Sequence, residues 1–173
     1  MKYSKIRKFD VSNGPGIRST IFVSGCTHNC ESCFNKELQD FDYGQDYTSE
    51  TEEKLIEYMN NPMVVGINIL GGEPLQQTMD DSLLNLLKRI KKKFPEKTIW
   101  LWTGDLFEIA IKDKKKLEIL KQVDVLIDGP FMKSKRNINL KYRGSSNQRV
   151  IDIKKTFENM TENTTPIVFT IDV

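Results

Sequence analysis

With 173 residues, 38% of them hydrophobic and 29% charged, the chain is long enough to bury a substantial core and is expected to form a single domain over residues 1–173. Its formal net charge of +2 gives no global case for binding nucleic acid or a charged membrane surface. No apolar run approaches the roughly 20 residues of a membrane-spanning helix, and Met1-Lys2-Tyr3-Ser4 leads into charged residues instead of a secretory signal.

The order of apolar runs predicts strands alternating with helices, and hence a parallel sheet. Thr20–Ser24 reads as the first strand. Ser49-Glu50-Thr51-Glu52-Glu53, a capping hydroxyl with first-turn acids, opens a helix that runs toward Asn60. Val64–Leu70, dense in Val and Ile, is the second strand. Asp80–Phe94 follows as an amphipathic helix, with Leu83, Leu84, Leu87 and Ile90 at helical spacing and Pro95 as its stop. Thr98–Trp102 is a third strand, Leu106–Lys121 a helix with a break expected near Asp113, Val123–Ile127 a fourth strand and Ile167–Val173 a terminal one. A complete eight-unit barrel needs about 200 residues or more, so the expected fold is α/β: an open, partial barrel of four to five strand–helix units.

All three cysteines lie in Cys26-Thr27-His28-Asn29-Cys30-Glu31-Ser32-Cys33, a C-x3-C-x2-C spacing directly after the first strand. Clustered thiols with no disulfide partner suit a reducing cytoplasm. Soft thiolates on one short loop select an iron–sulfur cluster, zinc or cuprous copper. A four-iron cluster ordinarily takes four thiolates, so three would leave one iron open, and an open position is what separates a reactive metal site from a structural one. Two plainer readings stand beside this one. Cys26, Cys30, Cys33 and His28, the only histidine, could hold a structural zinc ion, although His28 would have to fold back into its own tight loop. The thiols could also be ordinary buried side chains, against which the polar neighbours at 27–29 and 31–32 argue.

Three further glycine-bearing, charged motifs fall at a strand's carboxyl end, where α/β proteins place ligands. Leu70-Gly71-Gly72-Glu73-Pro74 closes the second strand: paired glycines allow a close backbone approach, and Glu73 offers a carboxylate. Thr103-Gly104-Asp105 closes the third strand and Asp128-Gly129-Pro130-Phe131 the fourth; a strand-end aspartate can equally cap a helix. Asn13-Gly14-Pro15-Gly16-Ile17-Arg18 reads as a rigid turn before the first strand. Charge is uneven: seven acidic residues and no Lys or Arg between Glu37 and Glu53, six basic residues and no acid between Gly129 and Ile151. Each is read first as a solvated loop, but the basic one could also steer an acidic partner.

The cysteine spacing after a first strand, followed by Gly71-Gly72-Glu73-Pro74, resembles the signature of the radical S-adenosylmethionine enzymes. The resemblance implies a 4Fe-4S cluster held by Cys26, Cys30 and Cys33, with the amino and carboxylate groups of S-adenosylmethionine on the fourth iron. It further implies that Gly71, Gly72 and Glu73 bind the amino group of that cofactor, a carboxylate suiting a cationic ligand. Thr103 then lies near the sulfonium and Asp128 near a ribose hydroxyl. An aromatic residue usually precedes the third cysteine and packs near the adenine. Here Ser32 stands there and the aromatic follows as Phe34, so that contact is expected around Ser32, Cys33 and Phe34. Gly14-Pro15-Gly16-Ile17-Arg18 is similar to a segment of glycyl-radical activating enzymes, in which Arg18 becomes a candidate substrate-loop or carboxylate contact. The Asp128–Phe131 and Arg143–Val150 segments resemble those of the activating proteins of anaerobic (class III) ribonucleotide reductases. The likeness implies a protein substrate, the reductase's catalytic subunit, on which a 5′-deoxyadenosyl radical takes a hydrogen atom from a glycine Cα. It also implies a flavodoxin- or ferredoxin-type electron donor. A formate-lyase type of activase, or a non-catalytic iron–sulfur or zinc module, is the alternative.

Overall fold

The structure, a computed structural model, describes residues 1–160 and 168–171. Its seven strands are β1 (Lys2–Asp10), β2 (Ile17–Val23), β3 (Gln45–Asp46), β4 (Val64–Gly71), β5 (Thr98–Trp102), β6 (Val125–Asp128) and β7 (Arg149–Asp152). They form one sheet in the order β3-β1-β2-β4-β5-β6-β7. Its helices are α1 (Ser49–Met59), α2 (Ser82–Lys93), α3 (Phe107–Ala110), α4 (Lys114–Leu120) and α5 (Ile153–Glu158). Strands β2, β4, β5 and β6 run parallel, joined by crossovers that carry α1, α2 and the α3–α4 pair, as parallel pairing requires. Antiparallel strands then widen the sheet on both sides, and it does not close. The fold is therefore mixed α/β, with three helical crossovers where four to five strand–helix units were expected.

Three strands lie outside the apolar runs marked in the sequence: β1, the two-residue β3 and β7. β1 leaves Lys5, Lys8 and Phe9 exposed and is a strand through its pairing with β2, where Tyr3 lies opposite Val23 and Asp10 opposite Arg18. β7 begins within the basic stretch and pairs antiparallel with β6, Arg149 opposite Asp128. Of the expected terminal strand Ile167–Val173, positions 167, 172 and 173 lie outside the described residues. The rest runs beside β7, the Ile171 amide donating to the Val150 carbonyl at 2.8 Å and the Asp152 amide to that of Phe169 at 2.8 Å. The break at Asp113 is present: its carboxylate accepts from the Lys115 and Lys116 amides and caps α4.

Side chains alternate across the strands, which separates two unlike faces. Ile21, Val23, Ile67, Ile69, Ile99, Leu101 and Leu126 join Leu55, Ile56 and Met59 of α1 and Leu83, Leu86, Leu87 and Ile90 of α2 in the main core. On the other face Trp100, Val125, Ile127 and Val150 make a smaller cluster closed by Trp102 and Tyr142, beside a buried polar group. No helix among the described residues is long and apolar enough to cross a membrane.

Arg18 is the centre of that polar group and is 0% exposed. Its guanidinium donates to Asn68 Oδ1 at 2.6 Å, Thr98 Oγ1 at 2.9 Å and the carbonyls of Ile67 and Thr98 at 3.0 and 2.8 Å, and it lies 5.3 Å from the Trp100 ring. Burial pulls its pKa down to about 10, which leaves it charged at neutral pH. Arg18 is therefore a structural residue: four acceptors and an aromatic face occupy it, and no partner segment can reach it. Gly14, at φ +86°, supports this packing, because a Cβ there would lie 2.9 Å from the Arg18 side chain. Arg18→Met removes five donor groups from a sealed interior, and we expect it to cost about 3 kcal/mol of unfolding free energy, read as a lower urea midpoint at unchanged slope.

Candidate active site

The carboxyl ends of the four parallel strands open onto one cavity of about 670 Å³, within the range of small-molecule sites. The loop after β2 supplies Cys26, Cys30 and Cys33, all three of which line it and none of which is in a disulfide. The loop turns sharply, with Asn29 and Ser32 at φ +46° and +59°, and the Cys33 amide donates to the Cys30 carbonyl at 3.1 Å.

Two neighbours hold this loop in place. On one side the Gly25 and Cys26 amides donate to the carbonyls of Leu38 and Gln39 at 2.8 and 3.1 Å. On the other, the turn after β4 is stitched to it: the Gly72 amide to the Val23 carbonyl and the Glu73 amide to that of Gly25, both at 2.8 Å. The Thr27 amide donates to Gln76 Oε1 at 2.9 Å, and Gln76 returns a bond to Thr27 Oγ1 at 2.8 Å. A Cβ at Gly72 would lie 2.6 Å from the carbonyl oxygens of Gly25 and Leu38. Gly72 is thus glycine because two loops pass within van der Waals reach of its backbone; it lines the cavity as well.

Glu73 is buried at the centre of the site. Its Oε1 accepts from the Leu75 amide at 2.9 Å; its Oε2 accepts from the Gly104 amide at 2.7 Å and from His28 Nε2 at 2.8 Å. His28 also lies 3.5 Å from Asp105, which pairs with Lys116 at 2.6 Å. The hydrogen bond to Glu73 holds the His28 pKa above its ordinary value, against the burial that pulls it down. Burial pushes the Cys26 thiol up to about 11, with the Glu73 carboxylate and the other two thiols adding to it against a hydrogen bond from the His28 amide. A metal bound there would have to displace that proton.

The far wall is the basic segment, and it is tied down. Gln148 Oε1 accepts from the Gly144 and Ser145 amides at 2.8 and 3.2 Å, while its Nε2 donates to the Gly129 carbonyl at 3.0 Å. Asn147 Nδ2 donates to the Pro130 carbonyl at 2.8 Å, Arg143 to the Gln148 carbonyl at 2.9 Å, and Trp102 Nε1 to the Tyr142 carbonyl at 2.7 Å. Arg149 grips Asp128 through two of its nitrogens and Glu108 at 2.9 and 2.8 Å.

Of the residues expected from sequence, Cys26, Cys30, Cys33, Ser32, Phe34, Gly71, Gly72, Glu73 and Thr103 all line the cavity. Phe34 stands at the rim, 96% exposed. Asp128 does not line it. Its carboxylate is fully buried, accepts from the Phe107 amide at 2.9 Å at the start of α3 and pairs with Arg149. The Phe107 amide and Arg149 take three of its lone-pair positions, and the carboxylate is buried away from the residues that line the cavity. Sequence reasoning missed Trp102, Tyr142 and Asn13 as lining residues and His28 as the partner of Glu73. The one available signal was the position of the only histidine between two cysteines, which had suggested a zinc ligand.

Among the described residues no three His, Cys, Asp or Glu side chains converge on one metal-ion position, and the His28 nitrogen that meets Glu73 is already engaged. A lone tetrahedral zinc ion needs such convergence. A polynuclear cluster presents separate irons to separate thiolates, so the donor set of three cysteines around a cavity fits a cluster.

The chain matches the family model described as a 4Fe-4S single cluster domain over residues 12–151. It is 42% identical over 150 residues to an anaerobic ribonucleoside-triphosphate reductase-activating protein of Enterobacteria phage T4, which covers 87% of this chain and 93% of that protein. It is 38% identical to a protein of the same name from Vibrio cholerae serotype O1 over 86% of this chain and 96% of that one. The protein so named in Escherichia coli K12 is 36% identical over 87% and 97% respectively.

The Arg149 ion-pair group makes a pH-dependent prediction. Arg149 holds the Glu108 carboxyl below its usual range, burial opposing. A depressed folded pKa contributes stability above the unfolded value and loses it as pH falls through the folded one. Arg149→Met, which leaves the buried Asp128 carboxylate unpaired, should cost about 3 kcal/mol at pH 7. The difference from wild type, followed by thermal melts, should shrink below the ordinary carboxylate range.

Proposed function

This chain belongs to the family of anaerobic ribonucleoside-triphosphate reductase-activating proteins, and we propose that it is itself such an activase, a radical S-adenosylmethionine enzyme whose substrate is the catalytic subunit of the reductase. The observation that carries the reading is three cysteines and a buried strand-end glutamate facing one cavity. The mixed open sheet is then the partial barrel of that superfamily, and the protein acts in the cytoplasm with a flavodoxin- or ferredoxin-type donor. Cys26, Cys30 and Cys33 would hold a 4Fe-4S cluster, which when reduced would supply the one electron for reductive cleavage of S-adenosylmethionine and, through it, hydrogen-atom abstraction from a glycine Cα of the partner.

The chain's own residues bind, orient and exclude. Glu73 receives the ammonium of the cofactor, a charge-assisted pairing. It is held rigid for this by the Leu75 and Gly104 amides, and a preformed acceptor loses little to reorganisation. Gly71, Gly72 and Thr103 let the cofactor lie against backbone. Ser32, Cys33 and Phe34 flank the adenine, Phe34 gaining cover that it lacks in the free protein. The Gln148-braced wall keeps water from the reacting centre. Its basic rim, Lys133, Arg136 and Arg143, meets the substrate protein. No acid–base pair is required for a hydrogen-atom transfer.

Cys26→Ala, Cys30→Ala and Cys33→Ala should each abolish cluster loading, measured as iron and acid-labile sulfide, together with activity; a fully active variant contradicts the ligand assignment. The function itself is tested by incubating the anaerobically reconstituted, reduced protein with S-adenosylmethionine and an anaerobic reductase subunit. A glycyl-radical doublet in electron paramagnetic resonance that requires every component is expected. Release of 5′-deoxyadenosine without a doublet would move the activity to another partner, and zinc without sulfide would leave a metal-binding module.

A further inference from the structure

His28 has no role in the function just proposed, yet it is the residue that connects the cysteine loop to the rest of the site. It sits two positions from Cys26 and two from Cys30. Its ring leaves the loop and lies against the backbone at the end of β5, so closely that a Cβ on Gly104 would be 2.6 Å from its Cδ2. Nε2 reaches Glu73 Oε2 at 2.8 Å, and Asp105 stands 3.5 Å from the same nitrogen. Because a carboxylate only accepts, Nε2 carries the proton of this bond. Asp105 is held by Lys116 of α4, so the ring is fixed from three sides.

We propose that His28 is a positioning residue for S-adenosylmethionine, an inference that rests on the activase reading above. A carboxylate offers about four lone-pair positions. Glu73 spends three of them, on the Leu75 amide, the Gly104 amide and His28, and about one is left for an incoming ammonium. The ring thereby fixes which direction of Glu73 remains open. The same ring ties the Cys26–Cys30 half of the loop to that carboxylate, so the group that binds the ammonium and the thiolates that hold the metal keep one fixed separation. A cofactor gripped at both places needs that separation set in advance, since an ordering cost not met before binding is subtracted from affinity. The second partners of cluster and metal ligands act in this way generally, orienting groups that touch the ligand without touching it themselves.

The test uses the anaerobically reconstituted protein in three forms: wild type, His28→Leu, which fills the space without a donor, and His28→Gln, which restores one. Iron and sulfide content, equilibrium binding of S-adenosylmethionine and the change it causes in the reduced cluster's electron paramagnetic resonance are measured. Wild type should bind and shift the spectrum; if it does neither, the activase reading itself fails. Given that it does, His28→Leu should keep full iron and sulfide, bind the cofactor about tenfold more weakly, equivalent to about 1.4 kcal/mol, and give a broadened or absent shift, with His28→Gln recovering most of both. Unchanged affinity in loaded His28→Leu overturns the proposal, because the ring is then idle. Loss of iron and sulfide from His28→Leu overturns it as well, because the ring is then a ligand or a requirement of the fold.

Discussion

The Glu73 carboxylate is the constraint on which the site depends. It is buried, and a buried carboxylate persists only when its oxygens are answered. The groups that answer it come from separate parts of the chain: Leu75 just after β4, Gly104 after β5, and His28 from the loop after β2. Satisfying one side chain therefore brings three strand ends together, and the cysteine loop is drawn into a position that its own short, polar sequence would not specify. Backbone bonds from Gly72 and Glu73 to Val23 and Gly25 fix the same juncture from beneath, and the absence of a Cβ at Gly72 permits it.

The two faces of the sheet divide the labour. One is covered by helices and supplies the main hydrophobic core. The other is closed by connections: the β1–β2 turn, whose Asn13 carbonyl accepts from Asn68, and the 129–148 segment, which Trp102, Gln148 and Asn147 brace. A face left without helices can hold a cavity, at the cost of a polar interior. Arg18, with Asn68, Thr20 and Asp10, is the hydrogen-bonded network that makes this interior tolerable.

The parts of this design with a local cause were legible in the sequence. Apolar runs marked β2, β4, β5 and β6; Asp113 marked a helix start; the cysteine spacing and Gly71-Gly72-Glu73 marked the cavity. What escaped was set by distant partners. β1 and β7 are strands because neighbours pair with them, and Lys5, Lys8 and Arg149 disguise that as loop. Arg18 stood as a candidate substrate-loop or carboxylate contact because its segment is similar to one in activating enzymes, whereas here four acceptors from β4 and β5 enclose it. Asp128 stood as a ribose contact by resemblance or as a helix cap, and nothing near it in sequence announces its partner Arg149, which lies 21 residues on. The Arg143–Arg149 segment read as a loose basic loop, while its side chains spend their hydrogen bonds on one another and on Gly129 and Pro130.

The central claim is that three cysteines hold a four-iron cluster with one iron left for S-adenosylmethionine, beside Glu73. Mössbauer spectroscopy of protein reconstituted with isotopically enriched iron reads each iron's coordination directly. Adding S-adenosylmethionine should change the isomer shift of one iron in four and leave the other three as they were. Four irons that respond alike, or none that responds, would contradict the account.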